Sequence, residues 1–202
     1  MIRFVLASAS PARLATLRSA GVSPEVIVSG VDESAVAAVD TAALVALLAT
    51  AKAREVASRL DSSSLVLGCD SMLDLDGVAL GKPPSAEDAV AQWKAMRGRR
   101  GVLYTGHALL YRTRTLVEVA STEVRFADLD DAEIAEYVAT GEPLAVAGAF
   151  TIDGLGGWFV DSIRGDHHNV VGLSLPVLRR MLRQLDVSLT DIGWGQSATE
   201  QL

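Results

Sequence analysis

The chain has 202 residues, of which 50% are hydrophobic, with a mean hydropathy of +0.30 and a net charge of −7. That length and composition exclude disorder over most of the chain and suffice for one large domain, or two small lobes, with a sizeable core. No apolar run approaches the ~18 residues of a membrane span, and an acidic chain is a poor general binder of nucleic acid, whose phosphates demand clustered cations.

Residues 2–7 read as a buried first strand, and this apolar run is too short for the centre of a signal peptide. With Cys69 as the single cysteine, which suits a reducing compartment, the expectation is a cytoplasmic protein. Ser8-Ala9-Ser10-Pro11 leads into a helix: Ser10 is a good N-cap, Pro11 suits the first helical position and Gly21 suits the stop. The segment is an ordinary capped helix, or its N–H groups, Ser8, Ser10 and Arg13 compose an anion cradle. A second strand is expected over 24–29, then a loop with two acids, Asp32 and Glu33. Thr41 to Leu60 reads as a long Ala/Leu-rich helix. Lys52 lies in it one turn after Leu48 and one before Val56, so it either snorkels or points into a site.

Leu65 to Leu80 reads as a strand and hairpin turning at Asp76-Gly77. Pairing Leu75 with Val78 and continuing outward sets Ser71 opposite Lys82, with Asp70 one step away. An acid that activates water beside a lysine that neutralises phosphate is one reading of that pair, and a surface ion pair is the other. Lysine is rare here: Lys52, Lys82 and Lys94 are all there are. Ser85 caps the next helix, which runs to Gly98. Residues 101–111 and 115–126 are expected as two longer strands joined at Arg112-Thr113-Arg114, and Asp130 caps a helix through Tyr137.

Residues 147–160 are glycine-rich but hold no Gly-x-x-x-x-Gly-Lys-Ser/Thr phosphate loop. The first strand is not followed by Gly-x-Gly-x-x-Gly either, which argues against a dinucleotide site. A last helix follows Ser174, and residues after Val187 are expected to fray. Cys69 follows an apolar strand without a partner base and reads as a small buried residue. His167-His168 lack a third ligand at metal spacing and read as surface groups. The order of elements gives an α/β architecture with a mixed, twisted sheet flanked by helices.

The remaining candidates, Ser8, Ser10, Arg13, Glu33, Lys52, Asp70 and Lys82, combine three cations, two acids and two hydroxyls, a set that matches a triphosphate with a divalent metal. The chain resembles the Maf family of nucleotide pyrophosphatases from Leu6 to about Val187. The carrying segments are 6–13 (Leu-Ala-Ser-Ala-Ser-Pro-Ala-Arg), Asp32-Glu33, Ala51-Lys52-Ala53, Gly68-Cys69-Asp70-Ser71 and Gly81-Lys82-Pro83. Tyr104-Thr105-Gly106, 137–143, 147–150 and 169–173 also match. Each is modest alone, and their order and spacing are specific.

The resemblance implies two lobes around a cleft, as in inosine triphosphate pyrophosphatase-like folds, formed by a single catalytic domain over 1–187 with a C-terminal tail over 188–202. It implies hydrolysis of a nucleoside triphosphate, standard or modified, to the monophosphate and pyrophosphate, as housecleaning of the nucleotide pool. It also implies a divalent metal, magnesium or manganese, held by Asp70 and Glu33, and a protein that is often dimeric. By position, Asp70 is the proton acceptor, Arg13, Lys52 and Lys82 contact phosphate, and Glu33 is the second acid. Ala12 stands where an arginine is common, Ser71 where a threonine is, and Asp153 where a glutamine is; in the family these positions bear on base choice. The alternatives are a non-catalytic nucleotide sensor that regulates cell division, which would bind without turnover, and a phosphomonoesterase, which would release orthophosphate.

Overall fold

A computed structural model describes residues 1–196. Its frame is a seven-stranded mixed sheet in the order β2-β1-β3-β5-β6-β7, with β4 paired to β3 off that path. The strands are β1 (Phe4–Ala7), β2 (Glu25–Val26), β3 (Leu65–Leu75), β4 (Val78–Leu80), β5 (Arg100–Tyr111), β6 (Arg114–Phe126) and β7 (Val160–Arg164). β1 pairs in parallel with β2 and β3, and the other pairings are antiparallel. The second strand is shorter than expected: only Glu25 and Val26 pair with β1, and Ile27 adds one further hydrogen bond to Leu6.

The helices begin where the sequence supplies caps. Ser10 accepts from the Arg13 N–H at the start of α1 (Pro11–Ser19), and Asp40 accepts from Ala43 ahead of α2 (Thr41–Ala57). Ser85 caps α3 (Ala86–Met96), and Asp130 with Glu133 forms a reciprocal capping box on α4 (Asp131–Ala139). α5 (His167–Val171) and α6 (Leu175–Gln184) are capped by Asp166 and Ser174. Among the described residues, no helix is long and apolar enough to cross a membrane.

Period-two alternation along β3 and β5 sorts their side chains between layers. Leu65, Leu67, Cys69 and Leu109 pack with Leu17, Met181 and Leu182 under α1 and α6. Val66 and Ala108 face Ala49, Ala53 and Val56 of α2 on the opposite side. Farther along the same strands, Leu73, Leu75 and Leu103 join Trp93, Phe126, Ile134, Tyr137 and Phe150 in a separate core. There the ring of Trp93 meets Phe126, Tyr137 and Phe159 edge-on, and its indole N–H donates to the Ala149 carbonyl. Two lobes thus share two long strands, and a cleft opens where one core gives way to the other.

Two further expectations are corrected by the fold. Asp76 and Gly77 form the turn, both at positive φ, and Leu75 pairs with Val78, but the ladder stops at Leu73–Leu80. Gly81 turns away, its carbonyl accepting from the Gly148 N–H, so Lys82 does not pair with Ser71, whose ladder partner is Thr105 of β5 on the other edge of the strand. The chain after Val187 also keeps packing. Ile192 is buried in the first core, and the Ile2 N–H donates to the Asp191 carbonyl at 2.7 Å. The rest of the expected tail, 197–202, lies outside the described residues.

Candidate active site

The cleft has a volume of about 680 Å³ and draws its lining from both lobes: Ser8, Ser10 and Arg13 on one side, Lys82, Ala147 and Phe150 on the other, Asp70 and Ser71 at the floor. Ala12, Glu33, Lys52 and Asp153 line it too, so every residue singled out for the site converges on this one space.

Alternation sends neighbouring residues of β3 to different partners. Asp70 shares the face of Gly68 and Val66, toward α2, and meets Lys52 there. Lys52 donates to Asp70 Oδ1 at 2.5 Å and ion-pairs with Glu33 Oε1 at 2.7 Å. The Lys52 and Asp70 side chains are only 12% and 7% exposed, whereas Glu33 is 53% exposed, on a short turn (Glu33–Ala35) above the cleft. The lysine against Asp70 is therefore Lys52 and not Lys82; Lys82 stands across the cleft. Two glycines admit α2 this close: a Cβ on Gly68 would lie 2.3 Å from the Ala49 carbonyl oxygen, and one on Gly106, opposite Asp70, 2.2 Å from that of Val45.

Burial holds the Asp70 carboxyl above its ordinary range, although Lys52 and Arg13 pull the other way. Its Oδ2 is buried and has no protein partner. A carboxylate that is paired on one oxygen, bare on the other and made more basic by desolvation suits a proton acceptor. Cys69 beside it is fully buried, its thiol pushed up to about 12 by burial, and it packs as the small apolar residue expected.

Ser71 points to the opposite face, toward α1. Arg13 is held there by three bonds: Nε donates to the Gly172 carbonyl at 2.8 Å, Nη1 to Ser8 Oγ at 3.0 Å and Nη2 to Ser71 Oγ at 3.0 Å. Behind Ser71 lies the buried Thr105, 2.9 Å away, which donates to the Asn169 carbonyl. Sequence reasoning gave Thr105, Asn169 and Gly172 no role in the site. The available signal was strand register, since Thr105 shares a face with Ser71 once β3 and β5 are paired. His167 and His168 are exposed, as expected, and with Ala12 and Asp153 they border a groove of about 270 Å³ that adjoins the cleft. Among the described residues no cluster of three or more His, Cys, Asp or Glu side chains could hold a metal by itself.

A buried acid ringed by cations in a cleft between two lobes of an α/β fold defines a protein that handles a polyanion. Residues 3–185 match the model of the Maf-like protein family, and the chain belongs to that family. It is 58% identical over 193 residues to a nucleoside triphosphate pyrophosphatase of Streptomyces coelicolor, covering 94% of each chain. It is 54% identical to one of Salinispora tropica, over 98% of this chain and 90% of that one. Identity to one of Cyanothece sp. is also 54%, over 95% and 99%.

Proposed function

We propose that this chain hydrolyses a nucleoside triphosphate to the monophosphate and pyrophosphate. The observation that carries this reading is Asp70 itself: buried at the cleft floor, clamped by Lys52 on one oxygen and bare on the other. The names of the Streptomyces, Salinispora and Cyanothece relatives support the reaction class.

In this mechanism Asp70 takes a proton from the attacking water as its oxygen bonds to the α-phosphorus. The bond from that phosphorus to the oxygen bridging to the β-phosphorus breaks, and the electron pair leaves with pyrophosphate. Negative charge grows on the bridging and equatorial oxygens, and Arg13, Lys82 and the α1 N-terminus, which line the cleft, would offset it. Lys52 keeps Asp70 aimed and, with Glu33, sets the charge balance around it. Arg13 grips as a fork, whereas the lysines act as point charges.

A divalent cation fits this donor set. Magnesium and manganese need only one or two carboxylates, with water and phosphate oxygens completing the shell, and Asp70 together with the half-exposed Glu33 would supply those carboxylates. When bound, the ion would neutralise phosphate charge and lower the pKa of a bound water. The single buried cysteine suits a reducing compartment and supports a cytoplasmic location. The role assigned to the enzyme is clearing unwanted nucleotides, with Ala12, Ser71 and Asp153, all lining the cleft, bearing on the base.

The test is product analysis. The purified protein is incubated with magnesium or manganese and the standard ribo- and deoxyribonucleoside triphosphates plus base-methylated ones. Monophosphate and pyrophosphate, absent with Asp70→Asn, are expected. Orthophosphate released stepwise would mean a phosphatase, and binding without turnover would mean a sensor; either overturns the proposal.

A further inference from the structure

We propose that Thr105, a residue outside the cleft, is a positioning residue that holds Arg13 through Ser71. The inference rests on the reading of Arg13 as a phosphate-binding group. Thr105 is fully buried, and its hydroxyl has two neighbours: Ser71 Oγ at 2.9 Å and the Asn169 carbonyl at 3.1 Å. A hydroxyl has one hydrogen to donate, and a carbonyl can only accept. Thr105 therefore donates to Asn169, and the hydrogen between the two hydroxyls comes from Ser71. The Ser71 oxygen is left as an acceptor, and it accepts from Arg13 Nη2. Every donor thus runs one way: Arg13 to Ser71, Ser71 to Thr105, Thr105 to Asn169.

This direction has two effects. The Ser71 hydroxyl cannot rotate into competition with Arg13, because its hydrogen is committed behind it. The relay also ends on the segment that holds Arg13 directly. Gly172 accepts from Arg13 Nε, and the Gly172 N–H donates to the same Asn169 carbonyl that Thr105 reaches. The Asn169 side chain anchors that segment to the sheet, with Nδ2 donating to the Leu103 carbonyl and to Thr122 Oγ1. Three of the five guanidinium N–H groups are thereby fixed by Gly172, Ser8 and Ser71. One on each terminal nitrogen stays uncommitted among the described residues, and these two are the donors for an oxyanion. With valine at position 105 the shape is kept but Ser71 loses its acceptor, so its hydrogen turns toward Arg13 and the cleft.

The experiment measures pyrophosphate release from the best triphosphate of the panel above by parent, Thr105→Val, Thr105→Ser, Arg13→Ala and the Arg13→Ala/Thr105→Val double variant. Thr105→Val should lower kcat/KM about ten-fold, the scale of one hydrogen bond to a charged network. Thr105→Ser should restore it to within about three-fold, and Thr105→Val should add nothing in the Arg13→Ala background. A merely structural role would give the same loss in both backgrounds, and that result overturns the proposal. So does a Thr105→Val protein within two-fold of the parent beside a crippled Arg13→Ala. If Arg13→Ala itself matches the parent, the phosphate role of Arg13 fails and takes this inference with it. Should Thr105→Val not fold, Thr105→Ala is compared with Thr105→Ser by the same criteria.

Discussion

Asp70 spends folding free energy on chemistry: burial raises its pKa, so the fold disfavours the charged form that the reaction needs. The acid limb of a kcat/KM profile should therefore lie above the ordinary carboxylate value, and activity should fall as pH drops through it. Asp70→Asn should abolish turnover while nucleotide still binds, which equilibrium dialysis would read. A limb at or below 3.8 would contradict the burial argument. His107 makes a different prediction. It is fully buried on β5, and its Nε2 accepts from the Ser174 N–H, so its proton sits on Nδ1. Burial pushes its pKa from 6.5 down to about 4. Above pH 6.5 both folded and unfolded states are neutral there. As pH falls from 6.5 toward 4 only the unfolded state gains the proton, so stability is lost across that window, by about 3 kcal/mol in all. Urea midpoints between pH 4 and 7 should show this slope, flattened in His107→Gln. At this scale the sequence disclosed the charged groups well. Lys52 was conspicuous because it occupied a slot of an apolar helix face. Thr105 was not, because a hydroxyl in a strand gives no pattern until its neighbours are known.

The geometry of the site depends on how closely α2 lies on the sheet. Gly68 and Gly106 make that approach possible, since a side chain at either would strike helix backbone, which cannot swing aside. Gly106→Ala should destabilise the protein by roughly 1–3 kcal/mol, the range for overpacking a tight core. It should also depress activity in the molecules that still fold, because a displaced α2 carries Lys52 away from Asp70. Denaturant midpoints and specific activity per folded molecule would check both. The helices were legible because their N-caps are written locally at Ser10, Ser85 and Asp130. The long strands were legible from alternation. The hairpin register misled at one place: Gly81-Lys82-Pro83 leaves the ladder, and what captures it is the distant Gly148 N–H. The glycine-rich segment was equally opaque. Glu142 organises it, its carboxylate accepting from the Tyr137 and Thr151 hydroxyls and from the N–H groups of Leu155 and Gly156. Burial raises the pKa of that carboxyl, but those four donors outweigh it and hold it below the usual carboxylate range. No local spacing announces such a hub.

Across the whole molecule, the two cores are joined through β3 and β5, so neither lobe has a complete sheet without the other. Thermal unfolding should be a single transition, and two separated transitions in a calorimetric scan would refute this coupling. A triphosphate touching both walls of the cleft should stabilise the whole. With Asp70→Asn, which does not consume it, ligand at 100 times Kd should add about 2.7 kcal/mol, or roughly 5–10 °C in Tm. The shared strands also order events on the ribosome. β1 is made before β3, and β5 after it, yet Asp70 is fixed only when Gly106 lies opposite. A nascent chain released before β5 would hold β3 only along the edge that β1 and β4 cover and present its other edge, acid included, to any passing strand. Premature termination in that interval would yield an aggregation-prone fragment and no half-active enzyme.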